Sequence, residues 1–281
     1  MGYSSGPRSN FTALLAFVIS FLMTIQAFAQ STEFNRLNKS GNEKRFLLSA
    51  SGIYAKLETN IRFESSTGFL GLKIEMEDDL GLDAWKSMPV FTAMIKLGDR
   101  HYINAWYYYL PRRGTRITDK EFEFNGKLIS VGTEITTYFD IHAVSMGYAY
   151  QLIRQERAGI AVFANLYTTF VSSGINSDLE KLNENVRFPA VFPNFGLIPY
   201  YKLTDRIGFS GIISLFFMNT NDFAGSVHNA GAQLDSHITP WLDLGIGYYL
   251  FDVTMEMNES TFTGIFDYTY QGPFIGLAFR F

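Results

Sequence analysis

A serine nucleophile, a histidine base and a carboxylate can together perform hydrolysis, and the sequence offers one close pairing of the last two. Asp140 and His142 are two residues apart in a segment of alternating polarity, so their side chains lie on the same face of a strand. Ser210 or Ser214 from another strand could complete a triad. Neither serine lies in a G-x-S-x-G motif. A hydrogen-bonded histidine inside the fold is the competing interpretation, and we expect no catalytic role.

Charged residues recur on the small and polar face of several alternating segments. We predict that this face lines a narrow interior, where buried charges must be paired. Positive and negative charges are balanced there, which favours an internal salt-bridge and hydrogen-bond network. A polar path for a small solute past Lys56, Glu58 and Arg62 is the competing hypothesis. The predicted network comprises Lys56, Glu58, Arg62, Asp140, His142, Lys202, Asp235, Asp243 and Arg280.

An acidic segment, IEMEDDLGLD at residues 74–83, is the third group of residues that could do chemistry. Hard cations such as Ca²⁺ prefer oxygen ligands, but the segment lacks the spacing of an EF-hand loop. We expect this segment to be a solvated loop. The chain has no cysteine, which excludes thiolate catalysis, disulfides and Cys-ligated zinc, and it has no glycine-rich phosphate loop. We therefore predict no metal site and no cofactor. The acids concerned are Glu75, Glu77, Asp78, Asp79 and Asp83.

The N-terminus has the pattern of a secretory signal peptide. Arg8 precedes an apolar run at residues 11–25, and an A-x-A cleavage pattern ends at Ala29. The run is shorter than the roughly 20 residues that a membrane-spanning helix needs. We predict a signal peptide at residues 1–29 and a short polar periplasmic segment at residues 30–45. No later stretch is apolar enough for a membrane helix, so the mature chain is either soluble or crosses a membrane as strands.

From residue 46 onward, large apolar residues alternate with small or polar ones, which is the period of β-strands. The second face is rich in Gly, Ala, Ser, Asn and Tyr and carries few charges, unlike the outer face of a soluble sheet. We predict that the large apolar residues face lipid and that the second face lines a lumen. In residues 46–63 this rule assigns to lipid Leu47, Ile53, Ala55, Leu57, Ile61 and Phe63.

Short charged turns alternate with longer polar connections along the chain, and counting the hairpins predicts ten strands, with eight or twelve as alternatives. The hairpin-like segment at residues 121–130 contains Asn125-Gly126, a type I′ turn signal, and is predicted to project beyond the membrane. The short turns are predicted at residues 97–101, 154–159, 203–208 and 237–241. The strands are predicted near residues 46–63, 88–98, 101–112, 134–152, 158–170, 188–203, 206–218, 226–238, 240–255 and 263–281.

The chain ends in PFIGLAFRF, residues 273–281, where large apolar residues alternate with small or charged ones. Together with the signal peptide and the serial amphipathic strands, this ending resembles bacterial outer-membrane β-barrel proteins over residues 46–281. The resemblance implies an all-β, transmembrane, antiparallel up-and-down barrel in the outer membrane. It also implies contacts with outer-membrane lipid and lipopolysaccharide. Phe279 and Phe281 would then be the insertion signal for the barrel-assembly machinery.

The expected function follows from the narrow interior of a barrel of about ten strands. We expect a structural role in the cell envelope or a porin-like passage for a small solute. The net charge of −4 gives no reason to expect a nucleic-acid partner. Two other hypotheses stay open: a lipid-modifying acyl hydrolase or transferase that uses His142, and a surface adhesion protein that uses residues 64–87 and 113–133.

Overall fold

The alternating segments form β-strands along nearly all of the described chain. The computed structural model describes residues 45–63, 73–124, 127–177, 182–219, 223–259 and 262–281. The predicted signal peptide and the segment before Arg45 lie outside these residues. The strands of the described chain are β1 (Phe46–Phe63), β2 (Lys73–Glu75), β3 (Trp85–Lys96), β4 (His101–Ile117), β5 (Phe122–Phe124), β6 (Lys127–Ile129), β7 (Glu134–Arg154), β8 (Ala158–Ser177), β9 (Leu182–Lys202), β10 (Ile207–Asn219), β11 (Phe223–His237), β12 (Leu242–Glu259) and β13 (Phe262–Arg280).

Ten of the described strands form a closed antiparallel barrel in the order β1-β3-β4-β7-β8-β9-β10-β11-β12-β13, and β13 pairs again with β1. At the point of closure Phe46 and Phe281 exchange backbone hydrogen bonds, with N···O distances of 3.3 and 2.9 Å. Closure removes the open edge that a sheet would otherwise expose. The predicted ten-stranded up-and-down barrel is confirmed, and the alternatives of eight and twelve strands are wrong.

The two ends of the barrel differ in their connections. At one end, which we call the turn end, short turns join the strands at residues 97–100, 155–157, 203–206 and 238–241, as predicted. The other end, the loop end, carries β2 and the β5–β6 hairpin. Among the described residues, β5 and β6 pair with each other and with no barrel strand, although Phe122 and Ile129 are buried. The Asn125-Gly126 turn of this hairpin lies outside the described residues. No helix of the described chain is long and apolar enough to span a membrane.

The strands run further toward the loop end than the sequence pattern predicts. β4 ends at Ile117 and β8 at Ser177, each several residues beyond its predicted limit. About 9–11 residues of a tilted strand cross a bilayer, whereas β3 has 12 and β7 has 21. The strand residues beyond those needed to cross the bilayer carry polar side chains on their outer face. Because of this polarity, the sequence pattern of these residues resembles that of loops. Such outer residues include Lys56, Glu58, Arg113, Thr115, Asp140, Asp252, Asp267 and Thr269.

An apolar belt surrounds the barrel nearer the turn end. Every barrel strand contributes large side chains that are exposed on the outer face. The predicted face assignments of β8, β10, β12 and β13 are confirmed, with the large apolar residues outside and the small or polar ones inside. One member of the belt from each strand is Leu48, Phe91, Ile103, Met146, Leu166, Leu197, Ile213, Leu234, Ile246 and Ile275.

The predicted face assignment of β1 is wrong. Leu47, Ile53 and Leu57 are buried inside the barrel, whereas the side chains of Lys56 and Glu58 lie outside and are about half exposed. The alternation itself is correct, but its direction is reversed. At the turn end of β1 both faces are apolar, with Leu47 inside and Leu48 in the outer belt, so the pattern there does not distinguish them. In the loop-end half the outer face is polar and the interior is packed with apolar side chains. Charged residues therefore stay outside, where water can solvate them, and the apolar residues are buried.

Backbone pairing is incomplete along the seam between β9 and β10. Among the described residues, β9 pairs with β10 only through residues 200–202 and 195–197, although β10 pairs with β11 from Ile207 to Asn219. Lys202 donates its N–H to Arg157, on the β8 side of β9. Because alternate residues of an antiparallel strand bond to opposite neighbours, the odd-numbered residues of β9 face β10. Three of these lack an N–H, which explains the interruption: Pro189, Pro193 and Pro199.

A second incomplete seam lies between β3 and β4. Their backbone ladder ends at the pair Val90–Tyr108, next to Pro89. Among the described residues, residues 85–89 of β3 pair with β1 and not with β4. The segment Met76–Ala84 packs into the space beside β4. A Cβ atom on Gly114 would lie only 2.1 Å from the carbonyl oxygen of Gly81, so this close approach requires glycine. Here the gap is closed by an irregular segment and not by a strand.

Beyond Leu215, the exchange rates of the backbone amides of β10 should depend on which neighbouring strand each amide faces. The amides of Phe216 and Met218 point to β11 and should exchange slowly, whereas the amide of Phe217 points to the incomplete seam and should exchange rapidly. Residue-resolved hydrogen–deuterium exchange of the protein in micelles measures this. Equal protection of Phe216 and Phe217 would show that the seam is paired in solution.

Candidate functional site

Toward its turn end, the lumen contains a charged network contributed by three neighbouring strands. Asp243 on β12 accepts a hydrogen bond from Arg280 on β13 (Nε···Oδ2, 2.5 Å) and one from His237 on β11 (Nδ1···Oδ1, 2.7 Å). Asp243 and Arg280 are almost fully buried. Asp235 is also buried and accepts a hydrogen bond from Gln233. A buried carboxylate with two such partners is compensated for its lost hydration.

The loop-end half of the lumen is filled by aromatic side chains, which we call the aromatic plug. The hydroxyls of Tyr108 and Tyr167 are 2.8 Å apart, and the Tyr108 ring also meets that of Tyr270. Two pairs join strands on opposite sides of the barrel. The ring centroids of Tyr167 on β8 and Phe251 on β12 are 6.3 Å apart. The centroids of Phe139 on β7 and Phe266 on β13 are also 6.3 Å apart. These contacts bring aromatic side chains from opposite sides of the wall together at this level of the lumen.

Arg112 connects the aromatic plug to the segment that fills the β3–β4 seam. Its side chain is fully buried and donates to Thr59 Oγ1 (2.7 Å), to the Glu77 carboxylate and to the carbonyl oxygen of Asp83 (3.1 Å). Glu77 Oε2 accepts the backbone N–H of Thr59 at 2.9 Å. The carboxylate therefore replaces the partner that a regular neighbouring strand would have supplied to β1.

The acidic segment is part of the barrel wall and is not a solvated loop. Met76, Leu80 and Leu82 are buried. Four of its five acids are paired within the chain: Glu75 contacts Lys73, Glu77 contacts Arg112, Asp79 contacts Lys120 and Asp83 contacts Lys86. The hydrogen bond to Asp79 raises the pKa of Lys120 above its ordinary value. No group of three potential metal ligands comes together in the part of the chain that the structure describes.

Five residues of the predicted lumen network lie on the outer face instead. Lys56 and Glu58 pair with each other at 2.6 Å, and Arg62 follows them on the same side of β1. Asp140 is held by the guanidinium of Arg113. His142 contacts the hydroxyl of Tyr107 (2.9 Å) and stacks on the ring of Tyr109. These outward positions are corrections, with the reason given above for β1. The structure places Asp235, Asp243 and Arg280 inside, and Lys202 lies at the turn-end rim, paired with Asp205 at 2.8 Å.

The triad of Asp140 and His142 with Ser210 or Ser214 is not assembled. Ser210 and Ser214 are buried inside the barrel, whereas His142 is exposed outside it, so the backbone of the wall separates the groups. The polar path past Lys56, Glu58 and Arg62 does not exist inside the lumen for the same reason.

A belt of inward polar residues at mid-height was missed by sequence reasoning. Asn194 Nδ2 donates to Ser214 Oγ at 2.5 Å, Asn229 donates to the same oxygen, and the Tyr249 hydroxyl donates to Asn229 Oδ1 at 2.8 Å. Asn165 lies opposite Asn194 on β8 and is buried. The available signal was the recurrence of asparagine at inward positions of successive strands. Its meaning depends on register, which the sequence does not provide.

Comparison with solved structures supports the barrel fold. The outer membrane protease OmpT from Escherichia coli superposes with a TM-score of 0.56 at 11 % identity, covering 87 % of this chain and all of that one. The translocator domain of the autotransporter NalP from Neisseria meningitidis is less similar, with a TM-score of 0.46 at 10 % identity, covering 97 % of this chain and 98 % of that one. No protein-family model and no curated protein sequence matches the chain. The chain therefore has the fold of the outer-membrane β-barrels.

Replacing Arg280 by methionine should destabilise the barrel strongly, because it leaves the Asp243 carboxylate buried without its guanidinium partner. Loss of one member of a buried pair costs about 3–5 kcal/mol of unfolding free energy. Urea unfolding in detergent micelles measures the change. The matched control is Lys56→Met, which breaks the exposed pair with Glu58 and should leave the unfolding midpoint unchanged. Equal midpoints for both variants would contradict a stabilising role of the network.

Proposed function

We propose that this chain is a closed, non-conducting β-barrel of the bacterial outer membrane with a structural role in the cell envelope. The observation that carries the proposal is the aromatic plug, whose rings meet across the lumen between β7 and β13 and between β8 and β12. A porin-like role needs a continuous aqueous path, and the packed rings of the loop-end half argue against one.

The outer face supports a lipid setting with the loop end at the cell surface. In outer-membrane barrels the short turns lie in the periplasm and the longer connections outside. The apolar belt lies nearer the turn end, and the strand residues with polar outer side chains stand beyond it. Tyr107, Tyr109 and His142 lie on the outer face between Met146 and Arg113, at the height where head groups of lipid or lipopolysaccharide would meet the wall. We propose that these head groups are contacted there.

The outward aromatics of the last strand support the proposed insertion signal. Phe281 is 63 % exposed, and the ring of Phe279 stacks on Trp241 on the outer face. Both side chains are therefore available to the barrel-assembly machinery before the wall is surrounded by lipid. The alternative enzymatic role has no such support, because the residues of the proposed triad lie on opposite sides of the wall. Protease activity belongs to OmpT, and 11 % identity supports the shared fold only.

Conductance in planar bilayers tests the proposal. We expect no discrete current steps from the wild-type protein, and steps from a variant in which Tyr108, Tyr167 and Tyr270 are all replaced by alanine, because the plug then loses its central rings. The control replaces three outward tyrosines by alanine, Tyr54, Tyr107 and Tyr148, and should remain silent. Steady conductance from the wild-type barrel would contradict the proposed function.

A further inference from the structure

A depression in the outer face lies beside the β9–β10 seam. It has a volume of about 460 Å³ and is apolar along its sides, which are formed by Ile103, Met146, Leu166 and Phe195. Ala164 is one of its lining residues on the outer face, and its small side chain leaves a hollow between longer neighbours. The hollow crosses β4, β7, β8 and β9, and three strand spacings correspond to about 14 Å. A single extended hydrocarbon chain fits this length.

The β9–β10 seam begins at the β9 edge of the depression. Phe195, which forms that edge, pairs with Leu215 in the last pair of the β9–β10 ladder among the described residues. Beyond it Pro193 faces β10 without an N–H. The side chain of Phe217 on the opposite bank is 74 % exposed on the outer face. In the part of the chain that the structure describes, the strands β9 and β10 are not joined by backbone hydrogen bonds beyond the Phe195–Leu215 pair. An inward side chain at this height is therefore separated from the lipid only by other side chains.

On the loop-end side of the Phe195–Leu215 pair, Asn194 is the first residue of β9 whose side chain points into the barrel. Its side chain is completely buried; Nδ2 donates to Ser214, and Oδ1 has no hydrogen-bond partner among the described residues. A buried amide oxygen without a partner costs about 1–3 kcal/mol. Asn194 Oδ1 therefore offers a hydrogen bond to a polar group that enters from the seam.

We propose that the depression and the adjoining seam form a binding site for one neutral, single-chain amphiphile from the surrounding membrane. The hydrocarbon chain lies in the depression, and the head turns inward over Phe195 and donates a hydrogen bond to Asn194 Oδ1. None of the residues that line the depression, and neither Asn194 nor Ser214, is charged, so an uncharged head with a hydroxyl donor fits and an ionised head does not. The inference requires the lipid setting of the wall but not the closed lumen.

Native mass spectrometry of the barrel released from nanodiscs provides the test, with monolauroylglycerol as the probe and dodecane as the headless comparison. The wild-type barrel should bind one monolauroylglycerol, at least about tenfold more tightly than dodecane, because the head satisfies a buried acceptor. Asn194→Leu should abolish this preference. Asn104→Leu, which removes another buried amide of the lumen on β4, should retain it.

The hydrocarbon part of the site is tested separately. Ala164→Phe fills the depression and should weaken binding of both probes about tenfold or more, whereas Ala50→Phe makes the same change on the exposed outer face of β1 and should have no effect. Circular dichroism verifies that each variant is folded. Equal effects of the two phenylalanine variants, or equal binding of monolauroylglycerol and dodecane to the wild-type barrel, would mean non-specific lipid association only and would overturn the proposal. Conductance from the wild-type barrel would refute the proposed closed lumen without bearing on this site.

Discussion

The hydrogen bonds between β1 and β13 are the interaction on which the rest of the structure depends. In hydrocarbon no water can satisfy a backbone N–H or C=O group, so a strand at the open edge of a sheet is not stable there. The pairing of Leu47–Phe63 with Gly264–Arg280, completed by the bonds between Phe46 and Phe281, removes both edges at once. The terminal aromatic residue is thus both the last residue of the ladder and part of the outer apolar surface.

The same constraint explains where irregular backbone is found. Pro273 interrupts the β1–β13 ladder, but pairing resumes at Lys56 and Gln271, so closure is preserved. The β3–β4 seam is compensated by the Met76–Ala84 segment, which Arg112 and Glu77 hold in place. On β9, by contrast, three prolines face the same neighbour and the ladder does not resume above Leu215. Prolines within sheets are normally confined to edges, and this seam has the character of an edge inside a closed wall.

The interior is divided into two halves by the belt of inward polar residues at mid-height. Toward the turn end, buried charges form a network in which Asp243 is shared by His237 and Arg280. Toward the loop end, tyrosine and phenylalanine rings fill the lumen together with the paired Arg112, whereas Lys56, Glu58 and Asp140 lie outside. A barrel that projects beyond the apolar belt has water around its upper wall, so its upper half is organised like a soluble protein, with an apolar interior and a polar surface. This division supports a closed structural barrel over a polar channel.

The sequence by itself determined the strands, the ten-stranded count, the short turns and the apolar alternation of β8, β10, β12 and β13, because these depend on local period and turn chemistry. It did not determine which face of β1 is inside. Leu57 and Glu58 alternate identically whether lipid or water surrounds them, and only the height of the strand relative to the apolar belt decides the direction. The outward positions of Asp140 and His142 follow from the same height. Asn194 contacts Ser214, and Glu77 contacts Arg112, because strand register brings together residues that are distant in the chain. Register arises from the closure of the whole ring of strands, and so only the tertiary structure could decide it.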